Sequence, residues 1–191
     1  IEKYGEEFTM DNYGTVFSVE HPDWNFNVKY LEQKGCIVDN YIVFLRRDEI
    51  KSEIEPILTD IYGDCKISVL PEWFAPPSTT KDTTSTELLS AAFQGEANCM
   101  VIVCYTTAPI KNRDADLVDA IQAIQENGYA FTFCVRYTNG EIFEKIPDEH
   151  YREFPLDMKR YYCKTRSYIW GKSCWDYEWE EGQLSDMKET D

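Results

Sequence analysis

Two early stretches alternate apolar and polar positions with a period of two. In WNFNVKY (24–30), Trp24, Phe26, Val28 and Tyr30 fall on one side and Asn25, Asn27 and Lys29 on the other, the pattern of a half-buried strand. TVFSVEH (15–21) leads into it across His21-Pro22-Asp23, whose Pro and Asp supply turn chemistry, so an antiparallel hairpin is expected. The period then changes. Ile50, Ile54, Ile57, Leu58 and Ile61 recur at helical spacing, and Gly63 supplies a stop. Asp39 is the expected N-cap, with Asp48 its rival if Tyr41 to Leu45 is strand. Pro56, inside the pattern, should kink or restart the helix. CKISVL (65–70) alternates again through Cys65, Ile67 and Val69.

PEWFAPPSTTKDTTSTE (71–87) changes the texture, with three prolines and a Ser/Thr run. It suggests a connector over 71–86 between an N-terminal lobe (1–70) and a C-terminal lobe (87–191) with a polar tail. Trp73 and Phe74 within it are expected to dock. A short helix is expected around STELLSAAF (85–93), and the apolar run NCMVIVCYTT (98–107) suits a strand inside a sheet. NRDADLVDAIQAIQENG (112–128) is a helix pattern: Asn112 or Asp114 caps it, its early acids suit the dipole, and Gly128 ends it. Leu117, Val118, Ile121 and Ile124 form its apolar stripe. YAFTFCVRYTNGEIFEKI (129–146) predicts a hairpin turning at Asn139-Gly140. In its first strand Tyr129, Phe131, Phe133, Val135 and Tyr137 share a side. DEHYREFPLDMKRYYCKTRSYIW (148–170) reads as helix interrupted by Pro155. The class is α+β, with mixed or antiparallel sheets and packed helices. Each half pairs a hairpin with a helix of about four turns, so two similar small lobes are an open arrangement, although no residue pattern repeats.

Composition narrows the functions. With 191 residues, 43% hydrophobic and 15% aromatic, the chain can bury a real core. The 35 acids and 19 bases give a net charge of -16. That field repels phosphate backbones and anionic lipids, so no nucleic acid is expected as partner, whereas a basic protein or a divalent cation is favoured. No apolar run approaches the roughly 20 residues of a transmembrane helix. The seven cysteines (Cys36, Cys65, Cys99, Cys104, Cys134, Cys163 and Cys174) contain no C-x-x-C, which argues against a zinc ribbon or a thioredoxin motif. Cys99, Cys104 and Cys134 sit in apolar runs as small hydrophobes. Cys36 with Cys65, and Cys163 with Cys174, are the pairs an oxidising compartment would allow.

Candidate chemistry is sparse. His21 and His150 are the only histidines. His21 lies in a turn, and His150 has Cys134 as a conceivable thiol partner without any spacing motif to join them. GKS (171–173) ends like a phosphate loop, but Arg166 stands where its first glycine belongs. Glu6-Glu7 and Glu180-Glu181 are adjacent acids, not carboxylates set across a cleft. No residue is assigned as catalytic, cofactor-binding or metal-ligating, and no cofactor is expected. CWDYEWE (174–180) is the one candidate binding face. On a strand Trp175, Tyr177 and Trp179 would project to one side about 7 Å apart, ready to stack on sugar rings or grip a partner. The same alternation describes an ordinary half-buried strand, with Asp176, Glu178 and Glu180 in water, and packing is the first expectation.

KYGEEF (3–8) ahead of a hairpin, and DNY (39–41) leading into an acidic amphipathic helix, resemble a loose group of small uncharacterised exported proteins of Gram-positive bacteria, many of them predicted lipoproteins. The resemblance covers the first 65 or so residues and carries no catalytic residue. It implies a processed segment and a lipid anchor upstream of Ile1, an extracellular or cell-envelope location, and structural roles for Tyr4 to Phe8 as an edge strand or staple and Asp39 to Tyr41 as a helix-capping turn. The expected function is a non-enzymatic binding or accessory protein of the envelope, with an envelope component or a basic protein as partner. The alternative is a cytosolic, acidic, immunity-type protein that neutralises a basic partner, which free thiols would suit.

Overall fold

The structure, a computed structural model, describes residues 13–22, 24–96, 98–147, 162–170, 173–175 and 180–181, with side chains for 14–22, 24–96, 98–147 and 169. β1 (Tyr13–Phe17) and β2 (Asn25–Leu31) form the expected antiparallel hairpin, with Val16 opposite Phe26. Its turn closes where the Trp24 amide donates to the His21 carbonyl at 2.9 Å. A third strand, β3 (Cys36–Asp39), was not anticipated; Gly35, at φ 61°, turns the chain back so that Val28 faces Asp39.

α1 (Tyr41–Tyr62) starts at the earlier of the two expected sites. Asn40 occupies the cap position, while Asp39 Oδ1 accepts the Tyr41 amide at 2.9 Å. The buried Asn40 side chain instead accepts the Asn27 amide at 3.0 Å, tying β2 to the helix start. The helix runs through Pro56 without restarting. One backbone donor is lost there. Ile50, Ile54 and Leu58 on the core side are fully buried, and at about 1.5–3 kcal/mol each they outweigh that loss.

β4 (Cys65–Pro71) follows, then α2 (Ser85–Ala91), whose start is fixed by a reciprocal cap. Thr84 Oγ1 accepts the Glu87 amide at 3.2 Å and Glu87 Oε2 accepts the Thr84 amide at 2.7 Å. Of the two connector aromatics, Phe74 is half-buried but Trp73 is 59% exposed and does not dock among the described residues. β5 (Met100–Thr106), a 3-10 turn (Ile110–Asn112), α3 (Arg113–Glu126) and β6 (Thr132–Thr138) make a parallel crossover unit, with Val103 beside Cys134. Val118 is 52% exposed; Ala120 takes its place in the buried stripe of α3.

Two expectations fail next. Asn139-Gly140 is not a hairpin turn. Asn139 is extended (φ -81°, ψ 164°) and its side chain accepts the Ile142 amide at 2.9 Å, capping α4 (Gly140–Lys145). A type I′ turn needs positive φ at both residues, whereas an Asn oxygen at a helix start satisfies an otherwise orphaned amide. The second failure is the C-terminal helix: Tyr162–Trp170 is strand β7, paired antiparallel with β6. Its Tyr, Thr, Ile and Trp content suits a pleated surface once a sheet edge is there to receive it; residues 148–161 of that expectation lie outside the described ones.

β8 (Ser173–Trp175) and β9 (Glu180–Glu181) both pair with β7. The molecule is therefore α+β, with a three-stranded antiparallel sheet (β1-β2-β3) and a six-stranded mixed sheet ordered β4-β5-β6-β7-β8, with β9 on β7. β4 bonds to β5 across the connector, and the larger of two core clusters runs from Ile42 through Leu89 and Phe133 to Ile169. The chain before and after residues 71–86 shares that sheet and that core, so a boundary at 70/71 separates neither. α1, α2 and α3 cover one face of the larger sheet, and α4 packs through Phe143 and Ile146 against Val103, Tyr105 and Cys134 on the other.

Candidate binding groove

α1 and α3 pack side by side with Ile54, Leu58, Leu117 and Ile124 turned to the core. Their outer edges leave an open groove of about 750 Å³. Half-buried Ile57 and Ile61 of α1 and Ala123 of α3 give it an apolar floor, with exposed Pro56 beside them. Carboxylates rim it: Asp60 from α1, and Asp116, Asp119 and Glu126 from α3, with no basic residue among the described residues that line it. Successive α3 acids of the groove lie three and seven residues apart, so helical periodicity brings them onto one stripe. Gln122 Nε2 donates to Glu126 Oε1 at 2.7 Å and fixes one end of that stripe.

Asp116 is the most constrained of these acids. Buried Tyr137, from β6, donates to its Oδ2 at 3.3 Å, and the Tyr62 hydroxyl donates to its backbone carbonyl at 3.3 Å. Partial burial raises its carboxyl above the ordinary value, and the charge of Asp119 adds to this against the opposing Tyr137 hydrogen bond. A cation in the groove would relieve that strain, because an opposite charge favours the ionised form. Among the described residues, no three His, Cys, Asp or Glu groups come together as a metal site.

The sequence candidates fare differently. Trp175 ends β8, opposite Tyr168 in register, while Tyr177 and Trp179 lie outside the described residues, as does His150. His21 is an exposed turn residue whose ring stacks on Trp24 at 3.9 Å. Trp24 is buried, sandwiched against Phe44 at 5.5 Å, with the Arg47 guanidinium 5.2 Å from its ring. In the first alternating segment, then, the aromatic nearest the turn is packing. Cys36 and Cys65 are both free, on separate sheets. The Cys36–Cys65 pair is therefore not formed. Cys174 pairs in register with Ile169, six residues along β7 from Cys163, or about 20 Å of strand, so the backbones of that expected pair are set apart.

The groove acids were not singled out in the sequence, where Asp114 and Asp116 served only the helix dipole. Their visible signal was the acidic stripe flanking Leu117, Ile121 and Ile124; what it flanked depended on α1 packing alongside, which no local pattern reveals. Comparisons of the chain with family models, curated proteins and solved structures returned no match. Among the described residues no helix is long and apolar enough to cross a membrane.

Proposed function

We propose that the protein is a non-enzymatic binding or accessory module that takes up a basic segment of a protein partner along the α1–α3 groove. The observation that carries this is the groove itself, an apolar floor rimmed by four carboxylates on a chain of net charge -16. The floor suits the stems of Lys and Arg while their heads meet the rim. Electrostatic steering by such a rim speeds association and selects the partner's sign more than it adds affinity. In the first setting the module is exported and lipid-anchored at the bacterial envelope, as the resemblance of residues 3–8 and 39–41 implies. In the second it is a cytosolic immunity-type protein, a setting favoured by the free thiols of Cys36, Cys65, Cys99 and Cys104.

Binding of a fluorescent oligolysine peptide by the wild type and by the D60N/D119N/E126Q variant tests the groove. Three exposed ion pairs at roughly 0.2–1 kcal/mol each correspond to a loss of about 3- to 100-fold in affinity. Wild-type binding should also weaken steeply with added salt. Equal affinities for the two proteins would place the interaction elsewhere on the acidic surface. Fractionation of the host cell, with the intact mass of the native protein, separates the settings: a diacylglyceryl-modified membrane species supports the envelope, and an unmodified cytosolic one the alternative.

A further inference from the structure

Cys65 opens β4 directly after the turn at Gly63-Asp64. It faces Thr106 in register, while Cys104 faces Ile67, so the two cysteines are diagonal neighbours on adjacent antiparallel strands. Both belong to the helix-facing side, with Cys104 in the core and Cys65 packed half-buried against it. Their side chains lie on the same face of the sheet, which makes Cys104 the thiol neighbour that the register gives Cys65. A second partner comes from the last turns of α1, where Thr59 Oγ1 lies 3.6 Å from Cys65 Sγ. Cys65 thus combines partial access to solvent with a hydrogen-bonding hydroxyl and a second thiol diagonally across the strand pair. This arrangement has no part in the acidic groove.

We propose that Cys65 and Cys104 form a peroxide-oxidisable dithiol, in which Cys65 is modified first and Cys104 resolves it as a cross-strand disulfide between β4 and β5. In the first step the Cys65 thiolate attacks one oxygen of hydrogen peroxide; the O–O bond breaks, hydroxide leaves, and Cys65 becomes a sulfenic acid. In the second, the Cys104 sulfur attacks the Cys65 sulfur. The S–O bond breaks, the S–S bond forms, and the departing hydroxide takes the Cys104 proton as water. The two thiols together lose two electrons, and the peroxide ends as two waters.

The environment divides the two roles. The neighbouring Cys104 thiol and the Thr59 hydroxyl hold the Cys65 thiol below its ordinary value, against burial and the nearby charges of Glu55 and Asp64. Complete burial pushes Cys104 well above its own. The thiolate is the nucleophile, so the half-buried member reacts with peroxide and the sheltered one waits for it. Diagonal positions on a sheet are wider apart than an unstrained disulfide prefers, but Cys65 is the first residue of its strand, beside a glycine turn, and can move toward Cys104. A bond closed in this way should be readily reduced.

The test is peroxide treatment of the full chain, then alkylation, digestion without reductant and peptide mapping. The expected product is a Cys65–Cys104 linked peptide, lighter than the two thiol peptides by two hydrogens and recovered by mild reductant. Dimedone should label Cys65 ahead of Cys36, Cys99 and Cys134 in C104A, where the resolving sulfur is gone. T59V, which leaves both sulfurs in place, should slow Cys65 oxidation severalfold. Linkage of Cys65 to any other cysteine, or an absence of linkage while other thiols oxidise, would overturn the proposal. So would dimedone labelling in C104A that shows no preference for Cys65.

Discussion

β2 and β6 are both seven-residue strands with a neighbour on each side, yet β6 buries every residue and β2 buries none fully. β6 is paired over more of its length than β2, but a ladder alone covers neither face of a strand. β6 lies between two layers. Phe133, Val135 and Tyr137 meet α1 and α3, and Cys134 shares the opposite core with Tyr105, Phe143 and Ile146. On β2 the ring of Phe26 meets Tyr41 at 4.8 Å, Trp24 at the strand's entry meets Phe44, and Tyr30 is 44% exposed. Pairing makes a strand, and coverage by a second and third layer decides how much stability it carries.

The largest expected effect of that difference is in side-chain truncation. Phe133→Ala should cost about 3–5 kcal/mol, through lost burial and a cavity that the packed layers cannot fill. Phe26→Ala, at a half-buried site, should cost no more than about half as much. Denaturant unfolding measures both, and equal losses would break the comparison. Next in size is the cap that replaced the expected hairpin. Asn139→Ala removes the acceptor for the Ile142 amide and should cost about 1 kcal/mol. If Asn139 were a turn residue selected for positive φ, Asn139→Gly would be neutral or stabilising and Asn139→Ala the strained one. A cap predicts that glycine loses only a few tenths of a kcal/mol.

The smallest effect lies at the groove. The Asp116 carboxyl has a folded-state pKa above its unfolded value, so the native chain holds that proton more tightly than the unfolded chain does. Its linkage term favours folding at acid pH and is lost as pH rises through that window. Asp116→Asn, which keeps an acceptor for Tyr137, should therefore stabilise the protein at neutral pH by less than about 1 kcal/mol. That advantage should vanish below the carboxylate range, and unfolding midpoints of both proteins at the two pH values measure it. A variant less stable at neutral pH would show that the ionised carboxylate is favoured there.

Much of this architecture could be read locally. The β1–β2 hairpin, the α1 stripe, the apolar β5 and the α3 stripe each carry their own periodicity. What could not be read depends on partners distant in sequence. CIVD becomes β3 only because β2 offers an edge, and YCKTRSYIW becomes β7 only because β6 does. Asn139-Gly140 satisfies two local grammars, turn and cap, and tertiary packing of Phe143 and Ile146 selects the cap. The groove was least legible, since its two rims come from helices more than fifty residues apart in the chain and neither is unusual alone.

The most direct measurement of the central claim is a residue-resolved NMR titration of the intact protein with a short oligolysine peptide. Binding in the groove gives amide shifts centred on Asp60, Asp116, Asp119 and Glu126, reversed by salt and lost in the D60N/D119N/E126Q variant. Shifts spread evenly over the acidic surface, or centred on residues outside α1 and α3, would contradict it.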